Sequence, residues 1–349
     1  MTSTSEVAGA QYRHSFHHRR TAPLFPEPTS AETELFRSGP PRLLVSVDTE
    51  EAFDWSKPYD RSAIDVDHIR HLDRAQRIFE RYGVRPLYLV DYPVAAQERG
   101  HRPLREWLAD GRCAVGAHLH HWVNPPFEEE VSVWNSYPGN LDPALERAKL
   151  TRLVETIEAS FGQRPLIYRA GRYGIGPATG AILEELGFAI DSSVVPRTDF
   201  SPGLGPDFRD FSTDFFRFGP SESILEVPLT VGWHGRLKHL GPRLQPLSQQ
   251  ALAMRLHVPG ILARTGLLER IRLTPEGNSF RELKRLTRSL LAAGVRFFNL
   301  TYHSPSLEAG NTPYVRNDAE LAALLSVIAR YCDYFFGECG GAACTLEEI

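Results

Sequence analysis

Short apolar runs bounded by glycine, proline or polar clusters alternate along this chain with longer stretches in which apolar residues recur every three or four positions. The runs predict strands and the stretches predict helices, so the alternation predicts βα units around a parallel sheet. The strand runs are Leu43–Val47, Pro86–Val90, Cys113–Ala117, Leu166–Tyr168, Phe188–Ile190, Ile224–Val227 and Val295–Leu300, with a short terminal strand near Cys344. Helical spacing extends from Ile64 to Tyr82, where Gly83 stops it, and through Leu150, Leu153, Val154, Ile157 and Phe161, where Gly162 does. A further helix ends at Gly187, another contains Leu283, Leu286 and Leu290, and a last one contains Leu321, Leu324 and Ile328. Seven or eight strands with helices between most of them predict a closed or nearly closed α/β barrel.

Outside this pattern lie residues 1–40, rich in Ser, Thr, Pro, Arg and His without apolar period, which read as a mobile N-terminal arm. His14, His17 and His18 sit in that arm, where nothing would hold ligands rigidly. Residues 41–349 then form the barrel domain. A loop from Pro196 to Pro220 is long enough to wall a site, and residues 234–276 read as an irregular insertion with one helix near Gln249–His257.

Composition narrows the function classes. A 42% hydrophobic share over 349 residues permits a large core, and 43 acidic against 39 basic residues, with no long basic block, exclude a phosphate-tracking surface. Nucleic acid is therefore not an expected partner. No run of eighteen apolar residues and no apolar leader occurs, so we expect no membrane partner and a cytoplasmic location. Cys113, Cys332, Cys339 and Cys344 form no CxxC pair and read as idle thiols. No GxGxxG or P-loop follows a strand, which argues against a dinucleotide or nucleotide fold.

Barrel enzymes build their sites just beyond the strand C-termini, and four strands here deliver reactive groups to that end. The first ends in Asp48-Thr49-Glu50-Glu51, the third in His118-Leu119-His120-His121, the fourth in Arg169, and the late strand in Tyr302-His303. Residues two apart on extended backbone point the same way, so Asp48 and Glu50 can share a cavity. A divalent cation would relieve their repulsion by taking one carboxylate and leaving the other as a base. His118 and His120 likewise share a side, giving Glu50, His118 and His120 as a candidate ligand set. His121 competes with His120 if the chain turns helically there. Arg169 can clamp Asp48, and His303 can donate a proton near neutrality. Arg172 has no assigned role.

VSVDTEEAFDW, GAHLHHWVNPPF, YRAGRYG and YHSPSL, in this order, resemble the polysaccharide deacetylase family, also described as the NodB-homology or carbohydrate esterase family 4 group. The likeness is to its WalW-type branch and covers Leu43 to the terminal strand. It implies a distorted (β/α)7-type barrel and metal-dependent removal of acetyl, N-acetyl before O-acetyl, from a carbohydrate, with zinc as the expected divalent metal. Position by position it makes Asp48 the catalytic base, Glu50 and His118 metal ligands, Arg169 the residue that orients the base, Tyr173 the source of a main-chain N–H for the oxyanion, and His303 the general acid. Trp122, Tyr173, Trp233 and Tyr302 could present flat faces to sugar rings. The chain departs from the pattern in three places. Trp122 stands where the second metal histidine is expected, so His120 or His121 must substitute. Thr49 replaces the acid beside the base, and no aspartate–tryptophan pair that would tune His303 is evident near Glu226-Val227-Pro228. Two other readings follow, a sugar-binding or regulatory barrel of weakened activity and an amidohydrolase-like C–N hydrolase.

Overall fold

The computed structural model describes Phe36, residues 38–241, Leu244 and residues 258–349. The helix expected at Gln249–His257, and most of the expected N-terminal arm with its three histidines, lie outside the described residues. The strands are β1 (Arg42–Thr49), β2 (Leu87–Val90), β3 (Ala114–Leu119), β4 (Ile167–Ala170), β5 (Ile190–Asp191), β6 (Phe216–Phe218), β7 (Ile224–Glu226), β8 (Val231–His234), β9 (Glu269–Arg272), β10 (Phe297–His303) and β11 (Ala342–Ala343). One curled sheet runs in the order β10-β1-β2-β3-β4-β5-β7-β6, with β11 added beside β1. Its pairings are parallel except for β6 against β7. The edges β10 and β6 do not pair, so the result is an incompletely closed, distorted α/β barrel.

The gap between the edges is filled by side chains and by a ribbon. Phe215, just before β6, meets Phe297 of β10 edge to face at 4.8 Å, and Phe36 packs on both at 5.5 and 5.1 Å. Nearer the other end, β8 and β9 pair antiparallel, Leu273 N–H donates to Thr230 O (2.8 Å) between their flanks, and the flanks join β10 through Thr301 N–H to Leu273 O (3.1 Å) and Asn299 N–H to Thr230 Oγ1 (2.8 Å). The ribbon begins and ends within or beside the stretch expected to be irregular. Its second strand, with three charged residues in four and only Ile271 buried, carries no strand signal in sequence.

The two-residue period of each strand sorts side chains between the barrel interior and the outer face. Val45, Val47, Tyr88, Val90, Val115 and Ala117 point outward and pack with Leu72, Phe79, Leu104, Leu150, Val154 and Ile328 of the surrounding helices and turns. Inside, the lower layer is apolar, built from Leu44, Leu87, Leu89, Ile167, Ile190, Leu225 and Phe297. Above it lies a polar layer in which Ser46 Oγ donates to Asn299 Oδ1 at 2.7 Å and Arg169 Nη2 donates to Ser46 Oγ at 2.9 Å. Register then fixes what reaches the open end: Asp48 lies beside His303 across β1 and β10, and His118 beside Arg169 across β3 and β4. No helix among the described residues is long and apolar enough to cross a membrane.

Candidate metal centre

At the C-terminal end of the strands a cavity of about 220 Å³ opens over Asp48, Glu50, His118, His120 and His303. Glu50 Oε2 lies 3.4 Å from His118 Nε2 and 3.3 Å from His120 Nε2, and the two Nε2 atoms are 3.1 Å apart. All three residues are buried. β3 ends at Leu119, but His120 keeps extended backbone (φ −93°, ψ 95°), so the side-to-side alternation carries one residue further and points it with His118. Gly171, following β4, is needed beside this pair. A Cβ there would lie 2.3 Å from Leu119 O and 2.7 Å from His120 Cδ2, closer than any side chain tolerates.

The donor set fits a cation. His118 Nδ1 lies 3.0 Å from the carbonyl of Arg169, which can only accept, so Nδ1 carries the proton and Nε2 presents a lone pair. His120 Nδ1 donates to Glu51 Oε2 at 2.8 Å, with the same consequence for its Nε2. The atoms that face one another are two imidazole nitrogens and a carboxylate oxygen, the donor set of a divalent-cation site. Ligand atoms about 2.1 Å from a tetrahedral ion are roughly 3.4 Å apart, close to the spacing here. Burial lowers both histidines to about 3, which keeps them neutral as ligands must be. Burial, followed by the nearby Glu51 and Asp48 carboxylates, pushes Glu50 well above the usual carboxylate range, and a divalent ion would reverse that by holding it ionised.

Beside the triad, Asp48 Oδ1 accepts from Arg169 Nη1. Each of the five N–H groups of Arg169 has an acceptor: Asp48, Thr301 Oγ1 at 3.2 Å, Ser46 Oγ at 2.9 Å, Ser192 Oγ at 3.0 Å and Ser192 O at 2.8 Å. Burial opposes ionisation of Asp48, but the Arg169 guanidinium outweighs it with help from His118 and His303, and the carboxyl is held at about 2. His303 Nε2 lies 3.7 Å from Asp48 Oδ2, while its Nδ1 and backbone N–H both bond Glu276, at 2.8 and 3.1 Å. Burial lowers His303, but the Glu276 carboxylate more than compensates and raises it above the ordinary histidine value. Trp55 stands edge-on to the His303 ring at 5.2 Å. The acid and the indole sought near Glu226 thus come from the segment after β9 and the loop after β1. Glu226 instead accepts from Val194 N–H at 2.9 Å.

No family model and no curated protein matches the chain. Among solved structures, a Mycobacterium smegmatis protein assigned as a polysaccharide deacetylase is 18% identical, with 88% of this chain and 87% of that one covered and a TM-score of 0.49. Puue allantoinase is 16% identical over 84% of this chain and 83% of its own, with a TM-score of 0.47. A family 4 carbohydrate esterase from Streptomyces lividans, in complex with acetate, is 11% identical over 88% and 94%, with a TM-score of 0.39.

The chain does turn helically after His120, in a 3-10 turn over His121–Val123, but the turn carries His121 away from the triad. His121 Nδ1 bonds Glu129 Oε1 at 3.0 Å, and Lys149 Nζ clamps the segment by donating to the carbonyls of His121, Asn124 and Pro126 at 3.0, 2.7 and 2.6 Å. Trp122 is also buried, stacked on His120 at 4.3 Å, and its Nε1–H donates to Glu51 Oε1 at 2.9 Å. Tyr173 lines the cavity, following Arg172 through consecutive left-handed backbone (φ 54° and 61°), which costs non-glycine residues roughly 1–2 kcal/mol each. Tyr302 and Trp233 do not line it. Tyr302 points outward onto Phe79, and Trp233 packs over Gly241 on the ribbon. The residues that sequence reasoning gave no role are Glu51, Glu276, Arg172 and Arg272. Glu51 was visible as a third acid in the DTEE run, whereas Glu276 and Arg272 follow no local signal.

Proton affinity at His303 carries a testable consequence. Glu276 stabilises the imidazolium, so Glu276→Gln removes that support and lowers the pKa of His303. The alkaline limb of the kcat/KM profile, where the acid loses its proton, is expected to move to lower pH, while the acid limb stays in place. A profile unchanged in Glu276→Gln would show that His303 is not the group titrating there.

Proposed function

We propose that this protein is a zinc-dependent hydrolase of the polysaccharide deacetylase type that removes acetyl from the amino group of a carbohydrate. The observation that carries this reading is the convergence of three ligand atoms from Glu50, His118 and His120 with a clamped carboxylate, Asp48, and a carboxylate-backed imidazole, His303, in one cavity. The order and spacing of the four sequence motifs support the same reading. His120 supplies the donor that Trp122 cannot, so the departure at Trp122 removes no ligand from the cluster, and the weakened-barrel alternative loses its main support.

A divalent ion held by Glu50, His118 and His120 would lower the pKa of a water to about 7 and polarise the acetyl oxygen. Asp48, fixed and kept ionised by Arg169, accepts the proton of the attacking water. The Tyr173 main-chain N–H is assigned, by the motif resemblance, to the developing oxyanion, where a well-placed donor contributes about 3–4 kcal/mol. His303, protonated through the support of Glu276, hands its proton to the departing amine. Phe53, Trp55 and Tyr59 line an aromatic wall against which a sugar ring can stack, whereas Trp122, expected to offer a flat face, is covered by His120 and Tyr59.

Zinc-loaded protein incubated with N-acetylated oligosaccharides is expected to release acetate, to stop when a chelator strips the metal and to recover when divalent ions return. Protein with one equivalent of metal that frees no acetate from any N- or O-acetylated sugar would rule the proposal out.

A further inference from the structure

The cavity lining also carries positive charge that the proposed chemistry leaves unused. Arg172 and Arg272 both belong to it. Arg172 donates to Ser136 Oγ and, at 2.8 Å, to the Tyr137 hydroxyl, and its guanidinium lies 3.9 Å from the Tyr137 ring and 5.3 Å from that of Tyr59. Arg272 donates from Nη1 to the Tyr173 hydroxyl at 3.0 Å and lies 5.7 Å from its ring. Their direct contacts are thus hydroxyls and aromatic faces, and among the described residues neither has a carboxylate within ion-pair distance, although Glu276 and Asp48 act on Arg272 from further off. Arg169 differs, since its anion is Asp48 and all its donors are spent. Consecutive left-handed residues at Arg172 and Tyr173 hold the pair of side chains in this lining despite the backbone strain. Guanidinium groups with free donors, flanked by rings that exclude water, are built to take a carboxylate or phosphate in bidentate fashion.

We propose that the sugar unit presenting its acetyl group to the triad also bears an anionic substituent, a carboxylate or a phosphate, and that Arg172 and Arg272 receive it. This rests on the deacetylase reading and adds the substrate class. Both arginines would then be specificity residues, acting on affinity and KM, while Asp48 and His303 act on the chemical step.

The test is calorimetric titration of the zinc-loaded full chain with three methyl glycosides of an N-acetylhexosamine, one uncharged, one carrying a 6-carboxylate and one a 6-phosphate. At least one charged member is expected to bind tenfold or more tightly than the uncharged one, and which one does so identifies the anion. Arg272→Met is expected to bring the charged ligand to within about twofold of the uncharged one, whose affinity stays put, while Arg272→Lys keeps part of the preference. Arg172→Met gives a second, independent variant. Equal affinities across the series, no binding of any member, or a preference that survives both methionine variants, as it would if the anion sat on the metal, would overturn the inference. Acetate release measured on the same samples separates the two ideas: release without charge preference removes only the anion site, and charge preference without release removes only the deacetylase reading.

Discussion

Asp48→Asn is expected to lower kcat by roughly 10²- to 10⁴-fold, the range a positioned general base contributes, while zinc stays bound at one equivalent. Asparagine keeps the shape and can still accept from Arg169, but it cannot take a proton from water. Stability should fall as well, because the Arg169 guanidinium is fully buried and loses its counter-ion. Removing one partner of a buried ion pair costs about 3–5 kcal/mol, softened here by the acceptors on Ser46, Ser192 and Thr301. Steady-state kinetics paired with metal analysis and denaturant unfolding separate these effects. Turnover within a fewfold of the parent protein would remove Asp48 from the mechanism.

His118→Ala carries the second large effect. It deletes one of three ligands and leaves Glu50 and His120 to hold the ion alone, so bound zinc should fall from about one equivalent to near zero and turnover with it. The loss should exceed the roughly 10- to 100-fold drop in affinity expected from altering an outer partner, such as Glu51→Gln, which weakens the support of His120 Nδ1 and of the Trp122 indole. His121→Ala supplies the contrast. Its ring bonds Glu129 and stays clear of the cavity, so metal content should be unchanged. Unaltered zinc stoichiometry in His118→Ala, or loss of zinc in His121→Ala, would show the ligand set to be wrong.

Much of the site could be read before the fold because parallel strands deliver their C-terminal residues to one end, and a two-residue period decides which of them look inward. That reasoning brings Asp48 and Glu50 together, aligns His118 with His120 and sets Arg169 against Asp48. It falters where the chain stops being a strand. At His121 a helical turn was foreseen as a way into the site, but the Lys149 clamp on the following carbonyls makes it a way out. Glu51 was passed over because alternation should send it away with Thr49. β1 ends at Thr49, however, and beyond it the Glu51 carboxylate swings beneath His120 to meet its Nδ1 and the indole of Trp122. The tryptophan that looked like a lost ligand is thus part of the support for the ligand next to it.

The ribbon was illegible for a different reason. Glu269, Arg270, Ile271 and Arg272 read as part of an irregular insertion, because what makes them a strand is pairing with β8 and attachment to β10, neither of which leaves a local pattern. With the ribbon went Arg272 and Glu276, and so the source of the carboxylate that tunes His303. β6 was hidden similarly, as three residues inside a segment rich in proline, glycine and aspartate. Both cases lie at the open side of the barrel, where the sheet departs from regular βα repetition.

The central claim is that Glu50, His118 and His120 enclose one divalent ion. Diffraction data collected on either side of the zinc absorption edge, from crystals grown with zinc, test it most directly. The expected result is a single strong anomalous peak within bonding distance of Glu50 Oε2, His118 Nε2 and His120 Nε2. Crystals that show these three side chains in place around no peak, with zinc absent or bound elsewhere, would contradict it.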